Sequence, residues 1–335
     1  MTAIATPLPS PLPRRGLQGF LGAILAGIAA GGFAWLALGH GAQSIFLQGF
    51  ILLVPVPLYM AGLGIGRSDA IVAILVGAAA MAIGVGANIT MLALQVLYAC
   101  PILLISLLAT RYRYDESGHL FWYPTGRLLV LLVLYPVCVF GLASFLAGSG
   151  GIEGVIHNAM VNVVDVLFKG NDPSGLYTPE MKKFTVNQLT ALAPTIFMVS
   201  WIIVLAITGI WTQVALTSNK LALRPMPSLM DMDIPMALLV LLAIMGLMAG
   251  FFSGPVAYFA RSVLVPLSLP YFFVGVGLMH LWARQRKHKH IWLVAFYIFV
   301  FFLRWPVILV ATIGVLEPWF HLRTRIGARA GAGSV

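Results

Sequence analysis

Charged side chains are scarce in this sequence. They make up 9% of its 335 residues, whereas soluble domains usually carry about 25%. Hydrophobic residues make up 60%, and the mean hydropathy is +0.97. A soluble fold could not cover so much apolar surface, because too few polar residues are present to face water. The composition therefore excludes a soluble globular protein and predicts an integral membrane protein.

Cysteines and catalytic motifs are also scarce. The two cysteines, Cys100 and Cys138, lie inside apolar runs without CxxC spacing, so neither a disulfide framework nor a zinc site is expected. The sequence contains no P-loop, HExxH helix or GxSxG elbow. All ten acidic residues lie in loops or at the edges of apolar runs. We therefore expect no enzymatic activity, no cofactor and no bound metal.

Long apolar runs dominate what is present. A run of about 18 or more apolar residues is long enough to cross a bilayer as a helix. The predicted spans are residues 17–38, 45–64, 69–86, 89–109, 127–147, 195–216, 235–253, 255–281 and 290–316. The last run carries Arg304-Trp305-Pro306 at its middle, so it is either a ninth span or a re-entrant pair that leaves eight. The predicted fold is an all-α polytopic transmembrane bundle of eight or nine spans.

The spans and loops divide the chain into five predicted regions. These are a disordered cytoplasmic tail (1–16), spans one to five (17–147), an extracytoplasmic helical insertion (148–194), the remaining spans (195–316) and a basic C-terminal tail (317–335). In the insertion, apolar residues recur at helical spacing from Ile152 to Phe168, and Thr178 with Pro179 can start a second helix. The insertion is expected either to lie in the outer headgroup layer or to form a lid over a cavity.

The positive charges predict the orientation. The formal charge is +10, from 20 lysines and arginines against 10 acidic residues. Most cations stand at the ends of apolar runs, where they indicate topology rather than a nucleic-acid site. With the N-terminus inside, the cytoplasmic segments hold 12 of the 20, namely Arg14, Arg15, Arg67, Arg111, Arg113, Arg127, Lys220, Arg224, Arg284, Arg286, Lys287 and Lys289. We predict a multi-pass protein of the bacterial inner membrane, surrounded by lipid, with a cytoplasmic N-terminus and no nucleic-acid partner.

Two arginines, Arg261 and Arg304, lie within apolar runs. A charge at membrane depth costs about 3 kcal/mol or more on insertion scales, so each must face protein, water or a ligand rather than lipid. The arginines either bind the anionic group of a solute or satisfy structural groups such as backbone carbonyls. With the aromatic residues Tyr258 and Trp201, they are the predicted ligand-binding residues.

The first span carries small residues four apart. Ala26, Ala30 and Ala34 form one series, and Gly27 and Gly31 overlap it. Small residues at this spacing let another helix approach closely. They predict tight packing, either within the chain or with a membrane protein partner, and the three alanines are the predicted docking residues.

Four segments together resemble the YybS-like family of predicted bacterial membrane proteins, which has no assigned biochemistry. They are Pro55-Val56-Pro57 before the turn from Gly62 to Gly66, Arg224-Pro225-Met226-Pro227 leading to Pro235, Gly277-Leu278-Met279-His280 at the end of the long eighth span, and the terminal segment from Gly314 to Arg323. This chain has Arg261 and Glu317-Pro318 where the family is expected to have an asparagine and an aspartate.

That family is similar in turn to the S-components of energy-coupling-factor transporters. The resemblance implies binding of a vitamin or a metal ion, and docking of a partner helix through alanines four apart in the first span. An S-component has six spans, so this chain would have two or three more.

The predicted function is that of a transporter-type membrane protein that binds a small solute between its helices, as the membrane subunit of a larger complex. The alternative is a membrane scaffold or assembly factor that binds protein partners and transports nothing. A cavity lined by Arg261 and aromatic residues would favour the first function. A solid interior with an exposed apolar groove would favour the second.

Overall fold

The computed structural model describes residues 16–38, 45–84, 86–148, 151–171, 178–227, 232–303 and 305–326. Within these ranges the chain is helical, apart from a short hairpin formed by β1 (Tyr112–Tyr114) and β2 (Leu120–Trp122). Seven helices in the same ranges are long and apolar enough to cross a membrane. The prediction of an all-α polytopic helical bundle is therefore confirmed. The hairpin is an addition that the apolar pattern does not indicate.

The helices follow the predicted runs closely. In chain order they are α1 (Gly16–Leu38), α2 (Ile45–Gly49), α3 (Pro55–Met60), α4 (Arg67–Gly84), α5 (Ile89–Leu94), α6 (Cys100–Ala109), α7 (Thr125–Leu146), α8 (Gly151–Asn171), α9 (Pro179–Ser218), α10 (Met236–Phe251), α11 (Gly254–Arg284), α12 (Lys289–Leu303) and α13 (Pro306–Phe320). A 3₁₀ segment (Phe50–Leu53) and a π-helical segment (Ala61–Ile65) complete the second predicted span, and another π-helical segment (Gln95–Ala99) joins α5 to α6.

The chain forms two compact units, which are described separately. Unit 1 comprises Met1–Leu132 and Ile203–Pro227, and unit 2 comprises Val133–Ile202 and Ser228–Val335. These boundaries cut across the predicted regions, because α7 and α9 each contribute to both units. Sequence order alone does not reveal which helices pack together.

Unit 1 is built around the packing of α1 against α4. Gly27 and Gly31 face α4 so closely that a Cβ at Gly27 would lie 2.5 Å from the Ala73 carbonyl oxygen, and one at Gly31 would lie 2.5 Å from the Ala80 Cβ. Only glycine permits this backbone separation, which is the usual reason for small residues four apart in membrane helices. The tight packing expected of the first span is therefore packing within the chain.

The loop after α9 is held in unit 1 by Arg224, which is 8% exposed. Its guanidinium donates to the Ala109 carbonyl at the end of α6 (3.3 Å) and to the Thr125 hydroxyl at the start of α7 (3.5 Å). The Gln213 side chain donates to the Arg224 carbonyl at 2.8 Å. Burial lowers the pKa of the Arg224 guanidinium from its ordinary value. A cation beside the carbonyls that end a helix is a stabilising arrangement, so Arg224 has a structural role here.

Unit 2 is organised around α11. Of the candidate spans among the described residues it is the most enclosed, with 67% of its apolar stretch buried against 22–44% for the others. Helices α10 and α13 pack along it. At the crossing with α13, Gly275 faces the Val310 carbonyl and Gly314 faces the Tyr271 carbonyl, with no room for a Cβ at either glycine. The backbones of α11 and α13 are therefore in direct contact.

The amphipathic insertion helix is present as α8, and it packs within unit 2. Val164 is fully buried, Asp165 pairs with Lys182, and the His157 Nδ1 lies 3.4 Å from the Thr190 hydroxyl. Thr178 accepts a hydrogen bond from the Met181 amide, which confirms the predicted cap. The next helix, α9, continues for 40 residues. Pro194 lies inside this continuous helix, so the predicted boundary between residues 194 and 195 does not coincide with a helix end, and it stays a prediction.

The last apolar run forms two short helices, α12 and α13, which bend by 117° at a break that includes residue 304. Each has 15 residues, or about 22 Å, which is less than the roughly 30 Å hydrocarbon core. The Gln285 side chain, just after α11, donates to the Ile326 carbonyl at 2.7 Å. The start of α12 and the chain end after α13 therefore lie at the same end of unit 2, which is the geometry of the re-entrant alternative.

The predicted basic tail, residues 317–335, stays a prediction, and its first residues are helical. Glu317 lies within α13, which continues to Phe320, and residues 322–326 form a further helical turn. Residues 327–335 lie outside the described ranges, as do residues 1–15 of the predicted N-terminal tail.

Candidate functional site

The structure places Arg261 at the end of α10 rather than in a cavity. Its Nε donates to the Ala249 carbonyl at 3.2 Å, and its side chain is otherwise exposed. Ala249 belongs to the last turn of α10, whose carbonyls lack an intrahelical donor. Helix α11 has 31 residues, or about 46 Å, so Arg261, about 10 Å from its start, is within side-chain reach of the membrane interface. Arg261 thus donates a hydrogen bond to a backbone carbonyl, which is the structural one of its two expected roles.

Tyr258 and Trp201 lie in the packed interior of unit 2. The Tyr258 hydroxyl donates to the Thr190 carbonyl at 2.7 Å. The Trp201 ring stacks on Tyr135 with ring centroids 5.8 Å apart. These contacts satisfy both side chains within the protein, and Arg304 lies outside the described residues. The three described residues, Arg261, Tyr258 and Trp201, thus have partners within the protein, and their role in ligand binding stays a prediction.

The three predicted docking alanines divide into two groups. Ala30 and Ala34 are fully buried in unit 1. Ala26 is half-buried. A buried face is not open to a partner helix, so Ala26 is the accessible one of the three, and docking through these alanines stays a prediction. Gly27 and Gly31 of the same helix pack against α4.

Ala26 lines an apolar groove of about 790 Å³ in unit 1. We call it the apolar groove, and it is lined by Gly16, Leu17, Gln18, Gly19, Gly22, Leu25, Ala26, Ala29, Pro57, Met60, Ala61, Gly64, Ile65, Leu216 and Leu221. Small residues of α1 form much of its wall. Gln18 is the one side chain among them that carries a polar group. The apolar groove is therefore suited to apolar contacts.

A cavity of different character lies in unit 2. We call it the polar cavity; its volume is about 390 Å³, and it is lined by Met232, Asp233, Ile234, Pro235, Met236, Tyr271, Val274, Gly314, Glu317, Pro318, His321 and Arg323. Small-molecule sites commonly have volumes of about 300–1,000 Å³, with mostly apolar walls and a few polar groups. The polar cavity has this composition, and three helices contribute to it.

The local sequence explains how each element reaches the polar cavity. Pro235 precedes the first residue of α10, so the loop before it ends at the cavity. Pro318 has no N–H and cannot donate to the Gly314 carbonyl four residues earlier, which leaves that carbonyl without its regular helical donor. Gly314 is also where α13 contacts the backbone of α11 at Tyr271. The proline and the glycine together keep this end of α13 close to α11.

His321 redirects the chain at the end of α13. It has φ 46° and ψ 48°, a left-handed conformation that usually favours glycine but in which histidine is enriched among other residues. The following residues turn back toward the cavity. Arg323 Nε then lies 3.5 Å from the Glu317 carboxylate, and the same guanidinium donates to the Met232 carbonyl. Arg323 therefore joins the end of α13 to the loop before α10.

Two polar groups of the polar cavity lack partners among the described residues. The Tyr271 hydroxyl belongs to a side chain that is only 2% exposed, and no described group hydrogen-bonds to it. The Asp233 side chain is exposed and has no ion pair with a described residue. Burying a hydroxyl without a hydrogen bond costs free energy, so such groups call for an explanation. Of these two groups, the Asp233 carboxylate is the one that a ligand or water can reach.

The polar cavity contains groups that can recognise a polar molecule. It contains hydrogen-bond donors in Arg323 and Tyr271 and acceptors in Asp233 and Glu317. In the ranges that the structure describes, no group of three or more His, Cys, Asp and Glu residues could hold a metal ion. The arrangement can therefore bind a small polar molecule through hydrogen bonds and charge.

The sequence contained one signal for this site. The terminal segment from Gly314 to Arg323 and the loop leading to Pro235 both belong to the segments that carry the family resemblance, and the structure brings them together. The sequence does not single out Glu317 or Asp233 as a candidate ligand-binding residue. These two motifs are far apart in sequence and share no obvious chemistry, but they line the same cavity.

Comparison with known proteins gives a family but no relative of known function. A family model described as "Predicted membrane protein (DUF2232)" matches residues 41–317. No curated protein and no solved structure matches the chain. The match covers all the predicted spans after the first and ends at Glu317, inside the polar cavity.

Proposed function

The chain belongs to the DUF2232 family of predicted membrane proteins, and we propose that it is a transporter-type membrane protein that binds a small polar solute in the polar cavity. The cavity is the observation that carries this proposal. It combines a volume of about 390 Å³ with charged side chains and a buried tyrosine hydroxyl that has no described partner. Residues brought together from three separate helices make such a cavity a natural ligand site.

The side from which the solute enters follows from the basic residues. The polar cavity lies at the end of unit 2 that also holds the turn from Arg284 to Lys289, because Gln285 bonds to Ile326 just after the cavity residue Arg323. Loops rich in lysine and arginine face the cytoplasm in bacterial inner membranes. We therefore propose an inner-membrane location with the cavity open to the cytoplasmic side.

The proposed membership of a larger complex rests on the first span. The relationship to S-components would require a partner chain that supplies energy, and the apolar groove beside Ala26 is the surface of unit 1 available for such a helix. The family assignment names no partner chain, so the larger complex is an additional part of the proposal.

The test is native mass spectrometry of the protein purified in detergent. Met236 is 51% exposed at the polar cavity, so Met236→Trp can fill the cavity mouth without disturbing buried packing. Val240→Trp, at a 54% exposed position of the same helix outside the cavity, is the matched control. We expect the wild type and Val240→Trp to carry a small solute that Met236→Trp has lost.

Two results would count against solute binding. One is a wild-type protein that carries no small molecule under any purification condition. The other is a solute that is retained equally by Met236→Trp, because it would then bind elsewhere.

The scaffold alternative is favoured by one observation, the apolar groove. Ala26→Leu would place a large side chain in this groove, whereas Gly32→Leu places the same side chain on α1 where nothing lies within 4 Å of the new Cβ. If the protein is a scaffold, Ala26→Leu loses a copurifying membrane protein that the wild type and Gly32→Leu retain. Identical copurification in all three would remove the groove as a partner surface.

A further inference from the structure

We infer that the polar cavity selects a small organic cation, an ammonium with a short apolar body. This inference rests on the proposed solute binding and concerns the chemical class of the solute. The first step is the balance of charge. The described lining residues include two carboxylates, Asp233 and Glu317, and one guanidinium, Arg323. With His321 neutral, the described lining carries one negative charge more than positive charges.

The second step identifies which charged side chains already have partners. Arg323 is engaged by the Glu317 carboxylate at 3.5 Å and by the Met232 carbonyl. Asp233 has no ion pair with any described residue. An anionic solute that approached Arg323 would be repelled by the two carboxylates of Glu317 and Asp233. A cation meets a free carboxylate without displacing anything.

The third step is the hydrogen-bonding pattern. The Gly314 carbonyl lacks its regular helical donor because residue 318 is a proline. The Asp233 carboxylate is also a pure acceptor. A ligand that donates N–H groups complements these two acceptors.

The fourth step separates an organic cation from a metal ion. Among the described residues no group of three or more metal-ligating side chains is present, whereas a divalent ion such as Ca²⁺ takes six to eight oxygen ligands. The remaining walls of the cavity are apolar, from Met232, Ile234, Met236 and Val274. Such walls suit the hydrocarbon part of an amine and leave a bare ion unsolvated.

The test compares two probes of equal size and opposite charge, n-butylammonium chloride and sodium butyrate, at constant ionic strength. The measured quantity is the thermal unfolding midpoint of the protein in detergent, because a ligand that binds the folded state raises it saturably. We expect butylammonium, but not butyrate, to raise the midpoint of the wild type. Met236→Trp should abolish this response.

Asp233→Asn is the variant that isolates the charge. Loss of the carboxylate charge should weaken the apparent affinity for butylammonium by about tenfold, which corresponds to one charge-assisted hydrogen bond. Glu153→Gln removes an exposed carboxylate of unit 2 that does not line the cavity, and it should leave the response unchanged. Asp233 is exposed, so Asp233→Asn is expected to fold normally.

Three results would overturn the inference: an equal or larger effect of butyrate, an unchanged response of Asp233→Asn or Met236→Trp, and no response of the wild type to butylammonium. The mass-spectrometric experiment distinguishes the two levels of the argument. A copurified solute that is lost in Met236→Trp but is not a cation would leave solute binding intact and make the ligand class wrong. Absence of any solute would overturn the proposed function itself.

Discussion

At the scale of single residues, the most informative side chain is Arg261, because its position admits two opposite roles. The guanidinium donates to the Ala249 carbonyl, in the last turn of α10, where no intrahelical donor remains. In lipid an exposed carbonyl has no water to replace a lost donor. The contact therefore stabilises the junction between α10 and α11 in unit 2.

This geometry predicts the effect of replacing Arg261. Arg261→Leu should lower the free energy of unfolding by about 1 kcal/mol, since one hydrogen bond to a helix end is lost. The thermal midpoint in detergent should fall accordingly. Arg261→Lys should retain most of the stability, because the ammonium can reach the same carbonyl. Lys183→Leu, at an exposed lysine of the same unit, is the control and should change little. A neutral or raised midpoint for Arg261→Leu would contradict the structural role.

At the scale of secondary-structure elements, close helix packing depends on which glycines face a neighbour. A Cβ at Gly27 would meet the Ala73 carbonyl oxygen at 2.5 Å and the Val76 Cβ at 2.8 Å, whereas a Cβ at Gly32 would meet nothing within 4 Å. Both glycines lie in the same helix and have similar sequence surroundings. Their different roles come entirely from the orientation of α1 relative to α4.

The two glycines provide a matched pair of variants. Gly27→Ala should destabilise unit 1 by about 1–3 kcal/mol, because the backbones of α1 and α4 must separate to accept the methyl group. Gly32→Ala should be neutral or slightly stabilising, because alanine is the better helix former. Thermal unfolding in detergent measures both. Equal midpoints for the two variants would show that α1 does not pack on α4 through Gly27.

At the scale of the whole molecule, unit 2 determines which loops share a side of the membrane. Helices α9 and α11 run in the same direction, because Tyr258 bonds to Thr190 and Thr195 bonds to Ser262. The start of α9 and the end of α11 therefore lie at opposite ends of the unit. The α12–α13 pair begins and ends at the same end, as the bond from Gln285 to Ile326 shows.

Cysteine labelling tests this arrangement. Cys100 and Cys138 are first replaced by serine, since both are exposed. Single cysteines at Lys287 and Arg325 should then react with a membrane-impermeant maleimide from the same side, and a cysteine at Lys183 only from the other. Intact cells expose the outer side of the membrane to the reagent, and inverted vesicles expose the cytoplasmic side. The proposed orientation places Lys183 on the outer side. Labelling of Lys287 and Arg325 from opposite sides would instead indicate a ninth full span.

Much of the fold could be predicted because it depends on short-range features. Runs of apolar residues must satisfy their backbone hydrogen bonds internally in lipid, so they become helices whatever their neighbours are. The cap at Thr178 and the amphipathic helix α8 follow from local spacing in the same way. Local spacing did not indicate that α9 continues through Pro194, which is possible because a proline can be accommodated within a membrane helix.

The candidate site could not be predicted in this way. Arg261 was singled out because a lone cation is conspicuous in an apolar run, yet it lies at a helix end. Asp233 and Glu317 appeared to be ordinary loop or edge charges, yet they line the polar cavity. What distinguishes a binding residue here is which other residues surround it, and that information is not contained in its local sequence.

The sequence by itself determined the membrane location, the helical class and the position of nearly every span, because hydrophobic length and backbone hydrogen bonding act within each segment. Only the tertiary structure decided that Ala30 and Ala34 are buried whereas Ala26 lines the apolar groove, and that residues 232–236, 271–274 and 314–323 line one cavity. The physical reason is that helix packing depends on the shapes of two surfaces at once. Gly275 and Gly314, far apart in sequence, allow α11 and α13 to touch, and their contact brings Glu317 and Arg323 beside Tyr271.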